Sequence, residues 1–315
     1  MKHLFGSSER EVLLTGIVSW LRTHIDSFDP PQEDDILNVA PEEIRPDKRR
    51  KAFGELGAAL RLTMRVPELA QNPEIRWLIN EWVNLAKRRQ IFFDVRRRVH
   101  LFPQCAVAYA VLKALGHPVE EVGQLLQTVL NRGFIDRVEI SAWHKLDIKY
   151  YLDSAGLQHG FADDVTLLNE STLTRLPNLP YATTYDLYGL THLLFHFSDF
   201  GLKDLRPLLG RHFEQIRRYA GLALSMCLSM QDWDLTAELL MSRICLSVSD
   251  NLLDREAAHA LCEYQQSTGF LPGRAWMEGT IDGEGARDRD EQEFFDVYHP
   301  TLLGLFLICC DAQTR

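Results

Sequence analysis

The feature that most constrains this chain is helical periodicity with no competing strand pattern. Segments of roughly 12–16 residues carry apolar side chains at helical spacing, among them 10–24 (Val12, Leu13, Ile17, Trp20, Leu21) and 73–89 (Trp77, Leu78, Trp82, Leu85). Others are 47–64, 103–115, 118–130, 143–155, 183–198, 213–230, 235–248, 254–266 and 300–310. Nearly every link holds Gly, Pro, Asp or Asn, and no run alternates β-branched and polar residues, so the expected class is all-α. Helices of this length joined by short links favour antiparallel αα-hairpins, which in series pack as a solenoid or a closed ring. The expected organisation is one continuous domain, with a helical segment over 1–95 packed on a repeat region over 96–315.

The chain has 315 residues, 46% hydrophobic and 25% charged, which is enough for a large core. A net charge of −10 argues against a nucleic-acid partner. The basic runs Lys48-Arg49-Arg50-Lys51, Lys87-Arg88-Arg89 and Arg96-Arg97-Arg98 read as charged helix faces or as a site for an acidic ligand. Six cysteines lie in apolar segments without a CxxC pair, as small buried side chains of a reducing compartment do. The N-terminus lacks a signal-peptide core, and the longest apolar runs, around 219–230 and 301–310, are short for a bilayer span. The expected location is therefore cytoplasmic, with no membrane partner.

The stretch 183–201 is amphipathic in an unusual way. Tyr185, Tyr188, His192, His196 and Asp199 share a stripe roughly 80° wide, and Leu187, Leu190, Leu194 and Phe197 oppose it. A surface helix would carry Lys and Glu where this one has rings and titratable groups, so the stripe is expected to line a cavity. Thr183 followed by Asp186 is close to a capping box and marks the helix start. His192 and His196, at i and i+4, are placed to share a divalent metal, although HLLFH lacks the Glu of HExxH. Apart from that metal no cofactor is expected. A nucleotide loop and a serine-hydrolase elbow are both absent.

A second stripe, His144, Asp147, Tyr151 and Ser154, runs along 143–155. His299 precedes Pro300, which is suited to a first helical turn. A helix starting there would set the imidazole beside free backbone N–H groups, with Asp296 and Tyr298 alongside. Asp232 and Asp254 are candidate N-caps. The acid- and Gly-rich run 274–293 is a loop, either a lid or a disordered link.

Two short motifs suggest a relationship. Gln158-His159-Gly160-Phe161 and Gln265 to Gly269-Phe270 each set a Gln before a Gly-aromatic pair, and the second leads on to Asp296-Val297-Tyr298-His299-Pro300-Thr301. Over roughly 150–315 this resembles the repeat of the (α/α) toroid superfamily of terpene cyclases and protein prenyltransferase β-subunits. The resemblance implies a toroid fold. It does not carry over an activity, because the DxDD and DDxxD motifs and the Asp, Cys, His zinc set are missing.

These readings converge on an enzyme acting on a small molecule or peptide. Its expected chemistry is acid–base (cyclisation, elimination or isomerisation), with bacterial natural-product biosynthesis as the expected setting. His192, His196, His299, Asp199 and Tyr185 are the expected catalytic groups. Tyr188, Tyr298, Asp296, His144, Asp147 and Tyr151 are the expected substrate contacts. The alternative is a non-catalytic helical scaffold that holds a peptide or protein.

Overall fold

The computed structural model describes residues 3–30, 48–88, 95, 99–133, 135–247, 252–280 and 286–313. Among them every regular element is helical and no strand occurs. The helices are α1 (Ser7–Thr23), α2 (Lys48–Thr63), α3 (Pro67–Gln71), α4 (Pro73–Arg88), α5 (Phe102–Ala114), α6 (Glu120–Leu130), α7 (Ala142–Ala155) and α8 (Asp164–Glu170). They continue as α9 (Thr184–Phe197), α10 (Arg206–Leu209), α11 (Phe213–Ser229), α12 (Trp233–Cys245), α13 (Leu252–Thr268), α14 (Arg274–Met277) and α15 (Ala286–Gln313).

The contacts divide the chain into two compact units that do not follow the 95/96 boundary expected from sequence. One comprises Met1–Trp20, Ile140–Asp147 and Ala162–Arg315, and the other Leu21–Glu139 and Ile148–Phe161. The second unit is built around α2, which packs on α4 and α5. Its Gly57 lies against the Trp82 indole, where a Cβ would sit 2.5 Å from the ring, and Trp82 Nε1 donates to the Phe53 carbonyl at 2.9 Å. Of the basic runs, Lys48–Lys51 opens α2 with Arg50 buried; the Arg88 side chain, Arg89 and Arg96 to Arg98 lie outside the described residues.

In the first unit α12 is the inner element, contacting α9, α11, α13 and α15. Its sequence explains this, since Trp233, Leu235, Ala237, Leu239, Leu240, Met241 and Cys245 are buried around the helix circumference, and a helix apolar all round belongs inside. The polar residues on α12 are therefore taken indoors with it. Asp232 caps α12 through the Leu235 N–H at 3.1 Å. Asp254 does not start a helix as expected. It lies inside α13, which is already helical at Leu252, and its carboxylate is buried against Arg243.

Helix α15 departs most from expectation. Pro300 lies inside a 28-residue helix, not at its start, and Ala286 onward is helical where a loop over 274–293 was expected. Of that stretch, residues 281–285 lie outside the described set. Proline in a helix interior frees the carbonyl four residues back, here that of Asp296. That oxygen lies where a Gly273 side chain would be, 2.3 Å from an ideal Cβ, so glycine lets the preceding segment close over the break. The Asp296 carboxylate also accepts from the Ala275 and Trp276 N–H groups and anchors α14 to α15. The 25 residues Arg289–Gln313 are long and apolar enough to cross a membrane by composition, but 78% of the window is buried, as in a core helix. Leu302, Leu305, Leu307 and Ile308 are fully buried, each worth ~1.5–3 kcal/mol of apolar burial. All six cysteines are buried.

Candidate metal centre

Helix α9 starts as its sequence implies. Thr183 accepts from the Asp186 N–H, and Asp186 returns a bond to the Thr183 N–H, completing a capping box. The helix turns Tyr188, Thr191 and His192 toward α12. It ends at Phe197, and Asp199 follows with φ 50° in a left-handed turn. The helical register that would have aligned Asp199 with His196 therefore stops short of it.

Six titratable groups from four helices form one connected array. Asp147 of α7 offers Oδ1 to His192 Nδ1 at 3.3 Å and to His196 Nδ1 at 2.8 Å. The other nitrogen of His192, Nε2, faces Glu238 Oε1 of α12 at 3.7 Å. His299 Nε2 of α15 lies 3.4 Å from Glu238 Oε1 and 3.4 Å from Asp234 Oδ1. The outer oxygens of both acids are held by hydroxyls of α9. Tyr188 Oη donates to Asp234 Oδ2 at 2.5 Å, and Thr191 Oγ1 donates to Glu238 Oε2. Asp234 Oδ1 is buried and receives no hydrogen bond among the described residues. The Glu238 side chain is 1% exposed, but those of Asp147 and His192 are 26% exposed, so the array is reachable from solvent.

The electrostatics follow from crowding. Burial alone would lower His192, but Asp147 and Glu238 outweigh it and raise its pKa to about 10. Burial would raise Asp147, yet the two imidazoles hold it well below the ordinary carboxylate range. Glu238 is likewise brought down, to about 2, by His192 and His299 against its burial. Asp234 is pushed up to about 6 by burial, with Glu238 adding to the effect and His299 opposing it. Tyr188 is raised strongly by burial and by Asp234, and stays a neutral donor. The centre gathers three acids and three imidazoles, the residue types that hold a divalent cation.

An aromatic rim adjoins it. The Trp143 ring lies 5.0 Å from that of His192 and 5.4 Å from that of Tyr185. Gly189 makes room, since a Cβ there would stand 3.0 Å from Trp143 Cδ1. Tyr185 is 54% exposed, with Oη 3.5 Å from His144 Nδ1. Burial lowers the His144 pKa against the pull of Asp147.

Of the residues expected from sequence, the structure brings together His192, His196, His299, Asp147 and Tyr188, with His144 and Tyr185 at the rim. His299 does so from a helix interior, which removes the expected anion site at a helix start. Asp296 serves α14, and Tyr298 is buried and stacked on Phe294. Tyr151 is buried beside Tyr150 and belongs to the other unit. Asp234, Glu238, Thr191 and Trp143 were not anticipated. The signal for the acids was an i, i+4 pair on an otherwise apolar helix, the acidic counterpart of His192 and His196.

Among the described residues, two groups could hold a metal ion. Asp147, His192 and His196 form one, and Asp234, Glu238 and His299 the other, with ligand atoms in each within 4.8 Å of one another. Fold and site together define an all-α protein with a histidine–carboxylate centre between its helices. The chain belongs to the family described as a domain of unknown function (DUF6895), whose model matches residues 14–309. No curated protein and no solved structure matches it significantly.

Proposed function

We propose that the chain is a metal-dependent enzyme performing acid–base chemistry on a small molecule or a thin segment of a peptide. The carrying observation is the Asp234, Glu238 and His299 triad. Two carboxylate oxygens stand 3.4 Å from one imidazole nitrogen, and their partner oxygens are clamped by Tyr188 and Thr191. A divalent ion there would polarise a substrate oxygen and stabilise negative charge on it. His144, kept neutral by burial, is the base for an adjacent proton, and exposed Tyr185 positions the substrate. Partial exposure of the centre limits what can enter to a small group. Elimination, isomerisation and cyclisation all fit this pairing of Lewis acid and base.

A metal-free reading is favoured by the position of His299 Nε2, 3.4 Å from both acids, with burial pushing Asp234 up to about 6, an arrangement that suits a proton shuttle. One experiment addresses both readings. The metal-loaded protein is incubated with a pooled small-molecule extract and followed by mass spectrometry, in parallel with chelated protein and with His144→Gln. A compound converted at unchanged mass, or with loss of water or ammonia, by the loaded protein alone supports the proposal. Conversion that survives chelation selects the metal-free reading, and no conversion in any arm leaves the scaffold role.

A further inference from the structure

We infer that the centre takes one divalent first-row ion, held by His192 Nε2, Asp234 Oδ1, Glu238 Oε1 and His299 Nε2, with Asp147 as a positioning residue. This rests on the metal reading above and adds stoichiometry, ligand atoms and a division of labour.

The separations of His299 from both acids, and of His192 from Glu238, fit a single ion. Ligand atoms about 2.1 Å from a tetrahedral metal stand about 3.4 Å apart. His299 Nε2 has that separation from both Asp234 Oδ1 and Glu238 Oε1, and His192 Nε2 is 3.7 Å from the latter. The orphaned oxygen, Asp234 Oδ1, is on this inner set, and the oxygens held by Tyr188 and Thr191 are not. Each acid thus presents one committed and one available oxygen.

The Asp147 group is a hydrogen-bond cluster and not a second ion site. His196 Nδ1 lies 2.9 Å from the His192 carbonyl. A carbonyl only accepts, so that nitrogen carries the proton and has no lone pair for a metal. His192 Nδ1 is hydrogen-bonded to Asp147 Oδ1, so an ion that displaces the Nε2 proton leaves the remaining proton on Nδ1 and meets the Nε2 lone pair on the side facing Glu238. A carboxylate that orients a metal-binding imidazole in this way is a common outer partner. A second ion would require His192 to lose both ring protons. Two imidazoles with two carboxylates suit manganese, iron, cobalt or zinc, in preference to calcium or magnesium.

The test is titration of metal-stripped protein with cobalt(II) by calorimetry and visible absorption, and with manganese(II) by electron paramagnetic resonance. One equivalent and an uncoupled manganese signal are expected. Asp234→Asn should abolish binding, and His299→Gln carries the same expectation if that variant fails to fold. Asp147→Asn should retain one equivalent at 10–100-fold lower affinity with an altered cobalt spectrum. His196→Gln should retain one equivalent. Two equivalents, or a spin-coupled pair, would overturn the single-ion inference while leaving the metal reading intact. No binding in the wild type overturns both. Unchanged affinity and spectrum in Asp147→Asn removes its positioning role.

Discussion

Helix α12 carries two sets of buried charge, less than two turns apart, and they are built differently. Arg243 meets Asp254 of α13 through two parallel N–H···O bonds, the second at 3.0 Å, with each side chain 6% exposed. The charges cancel and the donors match the acceptors, as a bidentate guanidinium–carboxylate pair allows. Gly221 on α11 leaves space for it, because a Cβ there would be 2.7 Å from Arg243 Nη1. Asp234 and Glu238, nearer the start of the same helix, have imidazoles at 3.4–3.7 Å and, at Asp234 Oδ1, a buried oxygen with no hydrogen bond among the described residues. A structural ion pair is closed and complete. The other set is partly exposed and leaves one acid oxygen without a donor among the described residues, which is the condition of a site that awaits something.

The comparison is broken most directly through stability. Arg243→Met leaves Asp254 buried without the guanidinium that faces it and should cost ~3–5 kcal/mol by chemical denaturation, with metal stoichiometry unchanged. Asp234→Asn removes a carboxylate that already crowds Glu238, and should leave the metal-free protein equally stable or more so. If Asp234→Asn proves the more destabilising, the centre is a structural network and the contrast fails.

The next effect is the response to metal. Free cobalt or zinc at 100-fold above its dissociation constant should stabilise the wild type by about 2.7 kcal/mol, because an ion that binds only the folded state shifts unfolding by mass action. The gain should vanish in Asp234→Asn and persist in Arg243→Lys, which keeps the charge of the closed pair. Equal gains in Asp234→Asn and wild type would place the ion elsewhere.

How much of this was legible in the sequence depended on whether local pattern or tertiary packing decided each residue. The all-α class and the two-faced helix at 183–197 are local, set by apolar spacing and by the Thr183–Asp186 cap, and both are present. Pro300 misled because proline is a good helix opener, and only the Gly273 backbone packed against Asp296 shows how a helix continues through it. Asp234 escaped notice because the helical reading began at Leu235, one residue after it. Glu238 was passed over because a lone Glu on a helix is ordinarily solvated; that α12 is buried on every side is a property of its neighbours. Tyr151 shared a stripe with Asp147, but α7 contributes its first part to one unit and its second to the other. Periodicity can align residues on a helix without saying that one environment receives them all.

The smallest predicted effect separates the frame of the centre from the centre itself. Thr183→Ala removes the hydroxyl that accepts from the Asp186 N–H at 3.2 Å and breaks the capping box. Loss of an N-cap of this type costs ~1 kcal/mol, measurable as a shift in denaturation midpoint at constant slope. Metal affinity should not change. Tyr188, Thr191 and His192 lie one to three turns further along α9, where Leu187, Leu190 and Leu194 are buried and the bonds to Asp234 and Glu238 fix the register. Fraying of the first turn therefore has no route to the ligands. A loss of affinity in Thr183→Ala larger than its loss of stability would show that the position of α9 is set from its start, and that the centre is less preorganised than its two hydroxyl clamps imply.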